Sequence, residues 1–233
     1  MNTRLLSIRG VHRDVDGAAV LRDVDLELSW EGFAVIAGAS GSGKTSLLRL
    51  MNRLDVPTGG TVAWNEVDVA NGDPCELRRR VGYIAQHPLV FEGTALDNLR
   101  VAEPALTRPA AEHLLGRVGL GDKIDQSAAT LSGGEAQRLC IARTLATAPE
   151  VILADEPTAS LDGEATENIE LLARRLTDTD GVRWVWVSHD PAQIRRLANT
   201  VIVMSEGTVA AVGTIDALRG VDHPAVHQAL GAA

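Results

Sequence analysis

GASGSGKT occupies residues 38–45, directly after the apolar run FAVIA (33–37) and directly before SLLRLMNRL (46–54). It fits G-x-x-x-x-G-K-[ST] at every fixed position. With the chain's own frequencies of Gly, Lys and Ser/Thr, a chance match anywhere is expected about 0.002 times. The run before it is short, continuously apolar and ended by glycine, which suits a strand buried on both faces. The run after it carries leucines at helical spacing. Strand, glycine loop and helix in that order form a phosphate-binding loop. The backbone amides of Gly38, Ala39, Ser40, Gly41, Ser42 and Gly43 cradle phosphates, and Lys44 neutralises the outer oxygens. Thr45 offers a hydroxyl to Mg²⁺, and Ser46 completes the turn into the helix. A nucleoside triphosphate site and an α/β fold follow from these eight residues and their flanks.

The rest of the chain is read outward from that loop. Before it, LLSIRGV and AAVLRDVDLELSW predict antiparallel β-structure, because Val24, Leu26 and Leu28 alternate with Asp25 and Glu27. After it, a short strand is predicted from Val62 to Asp68 and another at VGYIA, 81–85. Residues 87–148 change character: TALDNLRVA, AAEHLLGRVGL and GEAQRLCIARTLATA are helical patterns separated by polar turns. This segment reads as a helical subdomain inserted in an α/β core. Strand alternation resumes with VILAD (151–155), a helix over 163–176, the strand WVWVS (184–188) and a helix from Pro191 to Ala198. VIVMS and TVAAVG then flank a turn at Glu206–Gly207, and a short helical tail covers about 214–233. The expected organisation is one nucleotide-binding domain over residues 1–233.

Composition narrows the function. The formal charge of −9 argues against a nucleic-acid surface, which requires clustered Lys and Arg. Only two lysines occur, Lys44 and Lys123, so finding one of them inside the loop is informative. Cys75 and Cys140 fit no metal or redox spacing and read as reduced thiols, Cys140 within an apolar helical run. The N-terminus MNTRLLSIRG lacks the apolar stretch of a signal peptide, and no run approaches the roughly 20 apolar residues that span a bilayer. Work at a membrane would need another chain to supply the membrane.

Several residues bear on the chemistry. VILADE ends a buried strand with two carboxylates, and strand ends are where ligands bind in open α/β sheets. Asp155 can then reach the metal of the nucleotide held by Lys44, and Glu156 can orient or deprotonate an attacking water. Read alone, the pair is by default two acids capping the turn Asp-Glu-Pro-Thr; beside a phosphate loop that becomes the minority reading. His189 follows WVWVS and Gln86 ends VGYIA in the same way; each is a loop residue by default, but both emerge where a γ-phosphate, its metal or a water would lie. LSGGEAQR (131–138) begins a helix. Ser132 and Glu135 have the spacing of a capping box, whereas Gly133 and Gly134 weaken the turn and expose amides suited to an anion.

Taken together, GASGSGKT, Gln86, LSGGE, VILADE, SLD at 160–162 and His189 resemble the ATP-binding-cassette (ABC) ATPases, in that order and across nearly the whole chain. The resemblance implies a P-loop NTPase core with a RecA-like parallel sheet, an N-terminal antiparallel β subdomain and an inserted helical subdomain. It implies ATP and Mg²⁺ as ligands, with Thr45, Gln86 and Asp155 on the metal and Lys44, Gln86, Glu156 and His189 in catalysis. Ser132, Gly133, Gly134 and Glu135 would contact, in trans, the ATP held by a second copy, and Asp162 would lie in the loop linking the two sites. Where many members have Gln, this chain has Glu135, which keeps the capping partner. Where the family often stacks adenine on an aromatic, alignment places Val15; His12 or Arg13 would be the substitutes.

After Gln86 comes the apolar stretch HPLVFEGTALDNL, which in the transporter branch receives a short helix of the membrane subunit. LRLMNRL, ELRRRVGYIAQ, RLCIARTLA and ATENIE resemble phosphate-import ATPases. PLVFEGTALDNL, LSGGEAQR, WVSHD and DHPAVHQAL resemble the small two-component transporters of metal export and aluminium tolerance. The implied protein is an ATP-hydrolysing subunit, peripheral on the cytoplasmic side of the cell membrane, paired with itself and with an integral membrane permease. Its implied cargo is a metal ion or phosphate. The principal alternative is a soluble ATPase of the same superfamily serving a cytosolic assembly machine. A nucleic-acid repair ATPase is disfavoured by the short spacing between the phosphate loop and LSGG, and a regulator without catalysis by Glu156 and His189.

Overall fold

The computed structural model describes residues 5–231. In chain order the strands and helices are β1 (Leu6–Val15), β2 (Ala18–Leu28), β3 (Phe33–Ala37), α1 (Lys44–Met51), β4 (Gly59–Trp64), β5 (Val67–Asp68), α2 (Pro74–Arg80) and β6 (Val81–Ile84). They continue as α3 (Ala95–Ala102), α4 (Arg108–Arg117), α5 (Gly133–Leu145), β7 (Val151–Ala154), α6 (Gly163–Asp180) and β8 (Arg183–Ser188). The last are α7 (Pro191–Leu197), β9 (Thr200–Ser205), β10 (Thr208–Gly213), α8 (Ile215–Leu218) and α9 (Pro224–Leu230). The class is α/β, as expected. The helical tail matches α8 and α9 up to Gly231; residues 232 and 233 lie outside the described part.

Three details differ from the sequence reading. The single strand expected from Val62 to Asp68 is a hairpin, β4 and β5, because Asn65 and Glu66 both take positive φ (48° and 67°). Two such residues make the tight turn whose twist matches paired strands. Helix α2 was not anticipated: Asp73 caps it by accepting from the Cys75 amide at 2.8 Å, and Pro74 opens it. None of its residues is buried, so it carries no apolar stripe to read. Helix α6 runs four residues past the expected end, to Asp180, where Gly181 in the left-handed conformation stops it.

Two compact units are distinguished, residues 1–81 with 183–233 and residues 82–182. In the first, β2, β1, β4 and β5 form an antiparallel sheet in that order. β3 lies between β8 and β9, parallel to both, and β10 returns antiparallel to β9. All five residues of β3 are buried, as are Trp184 and Trp186 of β8. The Phe33 ring stacks on Trp184, with centroids 5.9 Å apart and planes 6° from parallel, and Trp186 packs tilted against both. Large rings on neighbouring strands fix the register of the sheet that presents the phosphate loop.

The second unit contains the helical stretch 87–148 together with β7, α6 and the body of β6. Gly82 lets β6 approach α5: a Cβ there would sit 2.4 Å from Thr144 Cγ2. Thr94 and Asp97 form a reciprocal capping box on α3. The apolar segment after Gln86 is pinned from behind. Asn98 accepts from the Phe91 amide at 2.8 Å and donates to the Phe91 carbonyl at 3.0 Å. Arg143 donates to the Leu89 carbonyl at 2.8 Å and lies 4.8 Å from the centre of the Phe91 ring. Leu89 and Phe91 keep their side chains exposed. Cys140 is buried, and burial pushes its thiol pKa up, consistent with a packing role.

Candidate functional site

In the first unit β3 runs straight into the phosphate loop. Gly38 has φ 150°, and a Cβ on it would stand 2.4 Å from the Met204 carbonyl oxygen. Gly43 has φ 97°, with Leu21 Cδ2 2.8 Å from where its Cβ would be. These positions require glycine both for conformation and for space. The loop is tied down by Ser42 N donating to Ala39 O at 3.2 Å and Gly207 N donating to Ser42 O at 3.2 Å. Helix α1 then starts at Lys44 with no side-chain cap, so its first amides face the loop. Lys44 is 5% exposed and its ammonium donates to the carbonyls of Gly38 (3.0 Å) and Ala39 (2.9 Å), which holds the charge across the loop. Ala39, Ser40, Gly41 and Thr45 are exposed, Ser46 is half-buried, and the buried Ser42 hydroxyl has no hydrogen-bond partner among the described residues.

His189 belongs to the same edge. Ala37 of β3 pairs with Ser188 of β8, so the parallel register sets His189 level with Gly38. Val15 ends β1 opposite Ala18 and is 41% exposed. Its two expected substitutes are engaged elsewhere. Arg13 lies 3.6 Å from Asp55, itself held by Arg49 at 2.8 Å. The His12 ring accepts from the Asp23 amide at 3.3 Å. These contacts are made at the edges of the two groups and leave their faces uncommitted.

The second unit brings together Gln86, Asp155 and Glu156. The Asp155 amide donates to Ile84 O at 2.9 Å, which sets the two carboxylates beside the end of β6, two residues before Gln86. Asp155 is buried and accepts from the Tyr83 hydroxyl at 2.9 Å. Glu156 is half-buried and takes φ 44°, an unusual conformation for a residue with a side chain. Tyr83 is the sequence's only tyrosine and was not read as part of the site; its alternate position in VGYIA was the available signal.

The start of α5 has the capping box its spacing predicted. Ser132 N donates to Glu135 Oε2 at 2.9 Å, and Glu135 N donates to Ser132 Oγ at 3.3 Å. Lys123, which the sequence reading left without a role, completes it with an ion pair to Glu135 at 2.9 Å. The Lys123 ammonium first, then the Ser132 amide, pull the Glu135 carboxyl down to about 2. Asp162 caps α6 by accepting from the Ala165 amide at 2.8 Å.

A buried strand, a glycine loop closed over a buried lysine and a helix with open amides define a P-loop protein that binds a nucleoside triphosphate. Residues 21–159, well over half the chain, match the family described as "ABC transporter". The chain belongs to the ABC transporter family and is one of its ATP-binding domains, an ATPase. It is 40% identical over 226 residues to Protein STAR1 of Oryza sativa subsp. japonica, covering 94% of this chain but 65% of that protein. It is 37% identical to the lipoprotein-releasing system ATP-binding protein LolD of Anaeromyxobacter dehalogenans, covering 91% of this chain and 95% of that one. In fold it matches cbiO1 of Clostridium perfringens, part of the ABC transporter complex cbiONQ, with a TM-score of 0.81 at 23% identity over 91% of this chain and 89% of that one.

Proposed function

We propose that this chain is the ATP-hydrolysing subunit of a transporter and works as a head-to-tail pair on two ATP molecules. The observation that carries the pairing is the ordinary surroundings of Gly133, the first residue of α5. Neither Gly133 nor Gly134 has positive φ; a Cβ on Gly133 would make ordinary contact with Leu161 Cδ2 at 3.7 Å, whereas one on Gly134 would press on Ala165 Cβ at 3.3 Å. The chain's own fold therefore asks little of glycine at position 133, although a glycine in a helix costs up to about 1 kcal/mol relative to alanine. Bare amides at a helix start suit the close approach of an anion. The phosphates held by a second copy's loop are the ligand this reading supplies.

In the proposed site Lys44 and the loop amides bind the β- and γ-phosphates. The oxygen donors Thr45, Gln86 and Asp155 would hold Mg²⁺, and a single carboxylate with neutral oxygens suits a metal that arrives with phosphates better than an all-protein cage. Among the described residues no cluster of three His, Cys, Asp or Glu offers such a cage. When bound, the metal neutralises charge developing on the phosphates. Glu156 accepts the proton of the attacking water, and His189 donates toward the γ-phosphate. Hydrolysis then reopens the pair.

The exposed Leu89 and Phe91, on a backbone fixed by Asn98 and Arg143, support docking to a separate membrane permease, with this chain peripheral on the cytoplasmic side. Among the described residues no helix is long and apolar enough to cross a membrane. The cargo, a small solute or ion such as a metal ion or phosphate, would be chosen by the permease, because none of these residues faces it. The test is Glu156→Gln expressed in the native host, with membranes solubilised in mild detergent and Mg-ATP. A trapped pair that hardly turns over and copurifies with a multi-spanning protein is expected. Turnover like the wild type refutes the role of Glu156. Recovery only from the soluble fraction with a cytosolic partner refutes the permease.

A further inference from the structure

Gln137 lies on α5 two residues beyond Glu135, and it is fully buried. Its Nε2 donates to the Ala85 carbonyl at 3.4 Å, the peptide immediately before Gln86. Its Oε1 is also enclosed, with no hydrogen-bond partner among the described residues. A buried amide with one half unmatched carries a desolvation penalty that an apolar side chain of the same volume avoids. Packing alone therefore favours another residue here, and the bond made by Nε2 is what the amide adds.

That bond is one end of a two-point grip. Arg143, six residues further along α5 and about 9 Å up the helix, holds the Leu89 carbonyl at 2.8 Å. The segment from Ala85 to Leu89, with Gln86 exposed inside it, is thus fastened at both ends to the helix that begins with Ser132. The exposed His87 also lies 3.3 Å from the Ser160 hydroxyl, and Cys140 Sγ, on the same helix as Arg143, lies 3.5 Å from the Leu89 carbonyl. We infer that Gln137 is a positioning residue: it couples the placement of Gln86 to the seating of the α5 start, so that engagement of Ser132 to Glu135 sets where the Gln86 amide reaches. This rests on the role proposed for Gln86.

The test uses the full chain with Gln137→Met, which keeps the volume and removes both the donor and the unmatched acceptor, alongside Gln86→Ala and the double variant. Gln137→Met should unfold at or above the wild-type temperature and bind ATP without Mg²⁺ as the wild type does. Its kcat should fall roughly tenfold, with a higher Mg²⁺ concentration at half-maximal rate. The double variant should be no slower than Gln86→Ala alone, as expected of residues acting through one another. Full turnover in Gln137→Met with Gln86→Ala impaired overturns the inference and leaves the Gln86 role standing. So do multiplying losses in the double variant, or a fall in unfolding temperature that accounts for the lost activity. Full turnover in Gln86→Ala overturns the reading of Gln86 and this inference with it.

Discussion

The helix that begins at Lys44 follows a glycine-rich loop and the helix that begins at Gly133 opens on two glycines of its own, and these glycines answer to different demands. Around α1 the protein itself excludes any side chain: Gly38 and Gly43 have positive φ and would drive a Cβ to within 3 Å of Met204 O and Leu21 Cδ2. The helix has no side-chain cap, and its charge is a buried lysine. At α5 the helix start is capped by Ser132 and Glu135 and braced by Lys123, while neither of its glycines has positive φ and Gly133, its first residue, has room beside it. One turn is shaped by the fold around it, and the other is left bare on a helix that is already well capped. Internal constraint marks the loop that holds a nucleotide, and its absence at Gly133 is what the proposed pairing, with a second copy's nucleotide over this surface, would explain.

Substitutions to alanine sharpen the contrast most. Gly43→Ala should abolish ATP binding and destabilise the fold by about 1–3 kcal/mol, from strain at φ 97° plus the clash with Leu21. Lys44→Ala should lose nucleotide affinity with little change in unfolding temperature. Gly133→Ala should do the reverse, stabilising the fold by about 0.5–1 kcal/mol while lowering turnover at least tenfold. Thermal unfolding and ATPase assays on the same preparations separate the cases. If Gly133→Ala destabilises the fold, or hydrolyses ATP at the wild-type rate, the two helix starts do not differ as argued.

Much of this was legible because the informative residues sit in contiguous, strongly patterned runs. GASGSGKT between a buried strand and a leucine-spaced helix could be read alone, and Ser132 with Glu135 lie within one helical turn. What escaped depends on contacts distant in sequence or on surfaces without pattern. Lys123 finds Glu135 from a separate turn, and Tyr83 reaches Asp155 from the neighbouring strand. Gln137 reads as the polar side of a helix until its burial is known. Helix α2 has no buried face, so hydrophobic periodicity had nothing to report. The turn at Asn65–Glu66 was passed over because β4 and β5 keep strand character on both sides of it.

The cap on α5 carries its own acid signature. The Glu135 carboxyl is lowered from its ordinary 4.5 to about 2, so its contribution to stability is complete above about 4.5 and is lost as pH falls toward 2. Glu135→Gln keeps a side chain that can accept from the Ser132 amide but loses the ion pair with Lys123. It should match the wild type's capping at neutral pH, apart from that surface pair, and lose less unfolding temperature between pH 4.5 and 2.5. The α1 start has no comparable carboxylate, so Lys44→Ala should leave that acid limb unchanged. Parallel acid titrations of all three proteins, followed by thermal unfolding, would show the limb surviving in Glu135→Gln if the assignment is wrong.

The smallest effect concerns what each unit can supply to the base. Val15 is the half-open end of β1, and the nearby cation and ring are held at their edges, Arg13 by Asp55 and His12 by Asp23. If the loop supplies nearly all of the binding through phosphates, discrimination between ATP and GTP should be weak. Val15→Tyr would add an aromatic face at an exposed strand end without displacing any buried group. A stacked base is worth roughly 1 kcal/mol, so ATP affinity should rise about fivefold and the preference for ATP over GTP should change with it. Titration of both nucleotides against both proteins measures this. Equal affinities before and after the substitution would mean that the base lies elsewhere, and that the end of β1 is no part of the nucleotide site.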